Sequence, residues 1–238
     1  MLGRFLEISV YAPAIRESLA FYEALGFVQA PVGETWNHPY AVVTDGRLYL
    51  GLHAAPIPSP TLTFVHPQLA DRVPELESLG IRMEERQLGE DVFHQVVFRD
   101  PAGQAVRLVE ARTFSPPGID PPVGSTCGYF AEFGMPTRDA PAGRAFWEPL
   151  GFVALDETQQ PFPRTPLASE RLNLALYRTR ALRGPVLTFE DADMRERIAR
   201  LRERGLKLTD EMPDGLDDSA NAVLEAPEGT RLLLLSEP

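Results

Sequence analysis

FLEISVYAPAIRESLAFYEALGFV, residues Phe5–Val28, returns as FAEFGMPTRDAPAGRAFWEPLGFV, residues Phe130–Val153, 125 positions along the chain. The two stretches share Glu7/Glu132, Phe21/Phe146, Glu23/Glu148 and a closing Leu-Gly-Phe-Val. Working outward, Arg47-Leu48-x-Leu50-x-Leu52 matches Arg171-Leu172-x-Leu174-x-Leu176 at an offset of 124. Leu62-Thr63-Phe64 matches Leu187-Thr188-Phe189, and Gly80 matches Gly205, at 125. Pro101-x-Gly103 matches Pro227-x-Gly229 at 126. Order and spacing held over a whole half identify an internal duplication, which fixes architecture before local propensity is consulted. Between the halves, Thr113 to Ser125 contains four prolines and two glycines. Such a segment cannot be a regular helix or a central strand, and it reads as a semi-rigid linker. The expected domains are residues 1–112 and 126–238, with 113–125 as the linker.

Within each half, hydrophobic periodicity switches between two kinds of element. Leu6, Ile8 and Val10 alternate with Glu7, Ser9 and Tyr11, which predicts a strand with one apolar face. Ile15, Leu19 and Tyr22 follow at helical spacing, with Gly26 placed to stop the helix. Ala41–Thr44 and Leu48–His53 read as strands joined by an Asp45-Gly46 turn. The pattern then restarts. Leu62 and Phe64 mark a strand, and Leu69, Val73, Leu76 and Leu79 mark a helix stopped by Gly80. Val92–Arg99 and Gln104–Val109 read as strands about the turn Asp100-Pro101-Ala102-Gly103. Each half therefore holds two β-α-β-β-β units, four in the chain, an α+β class.

The 238 residues are 44% apolar with a formal net charge of −11, enough core for two domains. That charge would repel a phosphate backbone, so nucleic acid is excluded as a partner. Lys207 is the only lysine, which confines Schiff-base chemistry to one position. Cys127 is the only cysteine, so neither an intramolecular disulfide nor a thiolate zinc cluster is possible within the chain. Arg4 and Glu7 interrupt the apolar start, and no stretch approaches the ~20 apolar residues of a membrane span. The expectation is a cytoplasmic protein with no membrane partner, monomeric or a homodimer.

The doubled unit, the helix ends Phe21-Tyr22-x-x-Leu25-Gly26-Phe27 and Phe146-Trp147-x-x-Leu150-Gly151-Phe152, and the turn Asp100-Pro101-x-Gly103 resemble the vicinal oxygen chelate superfamily. This is the fold of glyoxalase I, bleomycin-resistance proteins and extradiol dioxygenases. The resemblance covers nearly the whole chain. It implies two tandem domains, each a curled mixed sheet with helices on its outer face and a divalent metal in the cup. On the family pattern the first-strand ligand position falls on Glu7 and Glu132, and the position opening the second unit on Thr61 and Val186. The last-strand position falls on Arg107 and Leu233. An arginine cannot ligate, because it stays protonated. Strand alternation aims Tyr49, Gly51 and His53 into the first cup, and Asn173, Ala175 and Tyr177 into the second.

Glutamate alone does not hold a catalytic metal, which generally takes three protein ligands. The expectation is therefore no metal cofactor, with a Glu7/His53 divalent site as the residual possibility. Glu7 and Arg107 are expected to pair in the vacated position; the bland alternative leaves both as solvated strand residues. His94 is expected to be packed, and His38 and His66, each followed by proline, to lie on the surface. Trp36 and Tyr40 near the rim are placed to stack on a planar ligand or simply to pack. The leading expectation is a glyoxalase/bleomycin-resistance-type protein binding a small organic molecule. Its site residues are Glu7, Tyr49, His53, Thr61 and Arg107, with Glu132, Asn173 and Tyr177 in the second half. The alternatives are a divalent-metal-dependent lyase or extradiol dioxygenase of the superfamily, and a non-catalytic scaffold with vestigial cups.

Overall fold

A computed structural model describes residues 2–32, 36–111, 124–179, 181–209 and 211–237. Most of the proline-rich linker lies outside the described residues. The first half runs β1 (Arg4–Tyr11), α1 (Ile15–Ala24), β2 (Val28–Ala30), β3 (Tyr40–Thr44), β4 (Tyr49–His53), β5 (Thr61–His66), α2 (Leu69–Ser78), β6 (Met83–Gln87), β7 (Gln95–Arg99) and β8 (Ala105–Glu110). The second half repeats it as β9 (Tyr129–Pro136), α3 (Ala140–Trp147), β10 (Val153–Ala154), β11 (Arg164–Ala168), β12 (Leu174–Tyr177), β13 (Val186–Asp191), α4 (Met194–Glu203), β14 (Leu208–Thr209), β15 (Ala222–Glu225) and β16 (Arg231–Ser236). Each half forms one eight-stranded mixed sheet, ordered β2-β3-β4-β1-β5-β8-β7-β6 and β10-β11-β12-β9-β13-β16-β15-β14. The units therefore pair within a half and do not exchange between halves.

The helix ends follow the glycines. Gly26 has φ +90 and Gly80 φ +82, conformations a side chain resists, and α1 and α2 stop just before them. In α3 the Asp139 side chain accepts from the Ala142 amide at 3.0 Å, with proline in the first turn. The predicted strand from Val92 shortens to Gln95–Arg99. Leu79, expected on the apolar face of α2, is 45% exposed just beyond the helix end.

The helix-bearing faces of the two sheets share one apolar core, joined through Phe27–Phe189 at 6.3 Å and Phe98–Phe146 at 6.2 Å. Burying each such ring contributes about 1.5–3 kcal/mol. Across this core the halves exchange a matched pair of polar contacts. Tyr22 on α1 and its repeat mate Trp147 on α3 are both fully buried. The Tyr22 hydroxyl donates to Glu228 at 2.7 Å, alongside Ser18 at 2.7 Å, while the Trp147 indole donates to Asp100 at 3.2 Å. Asp100 and Glu228 sit in the matching Pro-x-Gly turns, so each half's first helix is fastened to the other half's last turn.

On β1 a bulge controls which side chains reach the opposite face. Phe5 pairs with Phe64 but Glu7 pairs with Thr63, so Leu6 is the extra residue. Phe5 thus stays with the core while Glu7 and Ser9 turn to the other face. The same bulge recurs on β9, where Phe130 pairs with Phe189 and Glu132 with Thr188. On that face Glu7, Ser9, His53, Thr61, Thr63 and Arg107 are all buried, as a curled sheet requires.

Candidate functional site

The register sets the floor of the first cup. Glu7 on β1 lies beside Thr63 on β5, which lies beside Arg107 on β8. On its other side β1 runs along β4, with Ser9 opposite Gly51 and Tyr11 opposite His53. A Cβ on Gly51 would collide with the Glu7 carboxylate, so the missing side chain is the space that carboxylate occupies. Glu7 therefore leans toward β4 and β3, away from β8.

Three donors meet it there. Ser9 Oγ donates to Oε1 at 2.7 Å, the Tyr40 hydroxyl donates to Oε2, and His53 Nε2 stands 3.1 Å from Oε1. Burial pushes the Tyr40 phenol far above its ordinary range, reinforced by the Glu7 charge, so it remains a donor. The far nitrogen of His53 continues the line, with Nδ1 2.9 Å from Nε2 of His38. Trp36 covers these groups, its ring 5.0 Å from His53, 5.7 Å from His38 and 5.8 Å from Phe93.

The expected Glu7–Arg107 pair does not form; Glu7 is paired with His53 instead. With β5 between their strands, the two backbones stand ~10 Å apart, two inter-strand spacings, and the gap at Gly51 draws the acid the other way. Nor is either residue solvated, since Glu7 is 1% and Arg107 4% exposed. Among the described residues no carboxylate lies within ion-pair distance of Arg107, and its Nε has no hydrogen-bond partner. The guanidinium faces the Trp36 ring at 5.5 Å. Burial pulls its pKa below the usual range, against the opposing fields of Glu85 and Glu7.

The other expected residues divide. Tyr49 is half-buried at the start of β4, on the face of Gly51 and His53. Thr61 is buried but its hydroxyl is committed to the Pro58 carbonyl at 2.5 Å. In the second half Asn173 is exposed ahead of β12, its amide donating to the Ala131 carbonyl at 3.3 Å, so it stands outside the cup. Tyr177 is buried, donates to the Gly184 carbonyl, and belongs to an apolar cluster with Phe162, Leu182, Val186, Val223, Leu233 and Leu235. These side chains give the second half an apolar counterpart to the polar floor of the first. Glu132 does meet a guanidinium, but from β11: Arg164 Nε lies 3.3 Å from Oε1. Arg164 occupies the place of Tyr40, as Tyr177 occupies that of His53. Burial raises Glu132 to about 7, with Arg164 opposing and Glu190 adding to the rise.

Three histidines differ from expectation. His94 is not packed among apolar groups; it bridges Glu110 at 3.1 Å and the Gly89 carbonyl at 3.0 Å. His38, read as a surface residue because proline follows it, lies in the cup. The cross-strand pairing of Tyr40 with His53 carries it there, and no spacing in the sequence announces that. His66, expected in a surface loop, is instead the last residue of β5, partly buried, and accepts from the Gln68 amide at 3.2 Å.

The metal implied by the fold does not fit these residues. The last-strand position presents a protonated guanidinium, Thr61 is engaged, and both Glu7 oxygens already accept hydrogen bonds. Among the described residues no group of three or more His, Cys, Asp or Glu is gathered in ligating geometry. Nor, among them, is any helix long and apolar enough to cross a membrane.

No protein-family model matches the sequence, and no curated protein matches it. Solved structures do. Catechol 2,3-dioxygenase aligns over 98% of this chain and 87% of its own at 15% identity, with a TM-score of 0.61. Homoprotocatechuate 2,3-dioxygenase from Arthrobacter globiformis aligns over 99% and 80% at 17% identity, TM-score 0.63. The Brevibacterium fuscum enzyme in complex with 3,4-dihydroxyphenylacetate aligns over 97% and 79% at 16%, TM-score 0.61. All three are extradiol-type 2,3-dioxygenases by name. At such identities the likeness speaks to architecture. The chain has the vicinal oxygen chelate fold, duplicated in tandem as in the extradiol dioxygenases.

Proposed function

We propose that the first-half cup binds a small anionic organic molecule bearing a flat ring, on a dioxygenase-type scaffold whose metal position has been given over to side-chain hydrogen bonds. The observation that carries this reading is Arg107: a guanidinium 4% exposed, with an unpartnered Nε and no carboxylate at ion-pair distance among the described residues. Burying a charge without a partner is costly, and an anionic ligand supplies the missing acceptor. Trp36, Phe93 and Tyr40 surround the space with rings suited to a planar body. The second half, with its apolar cluster, serves as scaffold. This keeps the small-molecule part of the glyoxalase/bleomycin-resistance reading and places it on the dioxygenase branch.

The test is calorimetry with 3,4-dihydroxyphenylacetate and phenylacetate in the presence of chelator. Binding to the wild-type protein, weakened in Arg107→Leu by about 1.5–3 kcal/mol, is expected for a charge-assisted contact. Equal affinity in the variant would move the site elsewhere. A second reading, a metal-dependent extradiol dioxygenase, is favoured by the neighbours themselves. It requires near-stoichiometric divalent metal in protein purified without chelator, and ring cleavage of a catechol under oxygen.

A further inference from the structure

The loop between β6 and β7, residues 88–94, carries Phe93 against Trp36, the ring that covers the first cup and faces Arg107. Phe93 is 38% and Val92 42% exposed, so burial of the loop's apolar side chains does little to hold it there. At its tip Asp91 has φ +59, a left-handed conformation that a non-glycine residue adopts at a cost, so contacts beyond the local backbone must keep this shape. Those contacts converge on His94. Its Nδ1 stands 3.1 Å from Oε2 of Glu110 on β8, and its Nε2 stands 3.0 Å from the Gly89 carbonyl, which closes the loop upon itself. Glu110 is anchored in turn, the same oxygen accepting from the Leu69 amide at 3.0 Å where α2 begins. Both partners of the imidazole are acceptors. A neutral imidazole has one N–H and can satisfy only one of them, whereas the imidazolium has two and satisfies both.

We propose that His94 is a protonation-dependent latch on residues 88–94, which holds Phe93 against Trp36 over the first cup below neutrality and releases it at higher pH to admit the ligand. The gating role rests on the reading of that cup as the ligand site. The direction follows from the contacts. Hydrogen bonds to Glu110 and to the Gly89 carbonyl hold the His94 pKa above the ordinary imidazole value of about 6.5. The latch is therefore fully set below that ordinary value and is lost as pH rises through the raised one. Against its burial, the bonds from His94 and the Leu69 amide hold the Glu110 carboxyl below its ordinary range, so the acceptor stays charged throughout. The other histidines with shifted values move the opposite way. His66 lies opposite Glu110 on β5, where burial and Arg72 of α2 lower its pKa, and burial lowers that of His38. The loop's own acids, Glu90 and Asp91, are exposed. A transition above pH 6.5 in the loop thus reports His94.

Acrylamide quenching of tryptophan fluorescence reads the latch, because the only other tryptophan, Trp147, is fully buried and leaves Trp36 as the indole a quencher can reach. In the wild-type protein the quenching constant should be at least about twofold higher at pH 8.5 than at pH 6. His94→Leu removes both donors and should be quenched at both pH values as the wild-type protein is at pH 8.5. Glu110→Gln, which keeps an acceptor for the Leu69 amide, should move the midpoint to lower pH. Stopped-flow association of phenylacetate, whose carboxylate is charged at both pH values, should be faster at pH 8.5 in the wild-type protein and equally fast at both in His94→Leu. Quenching independent of pH in the wild-type protein, a wild-type pH response in His94→Leu, or an unmoved midpoint in Glu110→Gln would each overturn the latch. Association that ignores pH while quenching follows it would overturn the gating. Quenching that follows His94 with no phenylacetate bound at either pH would overturn the reading of the cup as the ligand site and leave the latch standing.

Discussion

Gly51→Ala tests whether the Glu7 carboxylate is held where three donors converge. The added methyl would overlap the acid, coming within 2.5 Å of Oε2 and closer still to Oε1 and Cδ. A strand glycine replaced by alanine otherwise gains roughly 0.4–1 kcal/mol from the unfolded chain, so the cost here must come from Glu7. Hydrogen bonds to a charged group are worth about 1.5–3 kcal/mol each, and the bonds from Ser9, Tyr40 and His53 fall together when their acceptor moves. Because they share that acceptor they are not additive, and a net loss of about 3–5 kcal/mol is expected. For a chain of this size that lowers Tm by roughly 10 °C. The assay is urea or thermal unfolding of wild type, Gly51→Ala, Glu7→Ala and the double variant. In the Glu7→Ala background the methyl has nothing to strike, so its cost should fall to near zero. A loss under about 1 kcal/mol in the wild-type background, or an equal loss in both, would refute the reasoning.

Further expectations rest on other contacts. Because burial raises Glu132 to about 7, the folded state binds its proton at higher pH than the unfolded chain does. Its contribution is then full below the ordinary carboxylate range and lost as pH rises through 7, so Glu132→Gln should be the more stable protein at pH 8 by at most about 3 kcal/mol. An advantage independent of pH, measured by urea unfolding from pH 5 to 8, would contradict this. Trp147→Phe removes the indole donor to buried Asp100 and should cost about 2–4 kcal/mol from the lost bond and lost volume together. Tyr22→Phe, which leaves Ser18 on Glu228, should cost only about 1 kcal/mol; a larger loss than for Trp147→Phe would reverse the ranking of the two contacts.

The repeat made the architecture legible, because a doubled register of Leu-Gly-Phe-Val and Pro-x-Gly leaves few ways to arrange the strands. The placement of Glu7, His53 and Arg107 on one face was legible too, since strand alternation carries it. Partners were not. Glu7 turns toward His53 because of an absent side chain at Gly51, three strands over from Arg107, and alternation gives a face without giving a direction along it. His38 escaped notice because its approach to His53 comes from the β3–β4 pairing, while the local signal of a proline says only loop. In the second half the acid–guanidinium pair exists, but the arginine comes from the hairpin strand and not the last one. Asn173 lies exposed just ahead of β12 and Tyr177 packs in an apolar cluster, placements that depend on where the strand starts and what packs around it, and alternation alone carries neither.

The most direct test is one crystal soaked with both manganese(II) and 3,4-dihydroxyphenylacetate, read by anomalous scattering. The account predicts the ligand's carboxylate against the Arg107 guanidinium, beneath Trp36, with no anomalous peak at coordination distance from Glu7 or His53. A manganese peak bonded to those two side chains, with the ligand's ring oxygens on the metal, would contradict it.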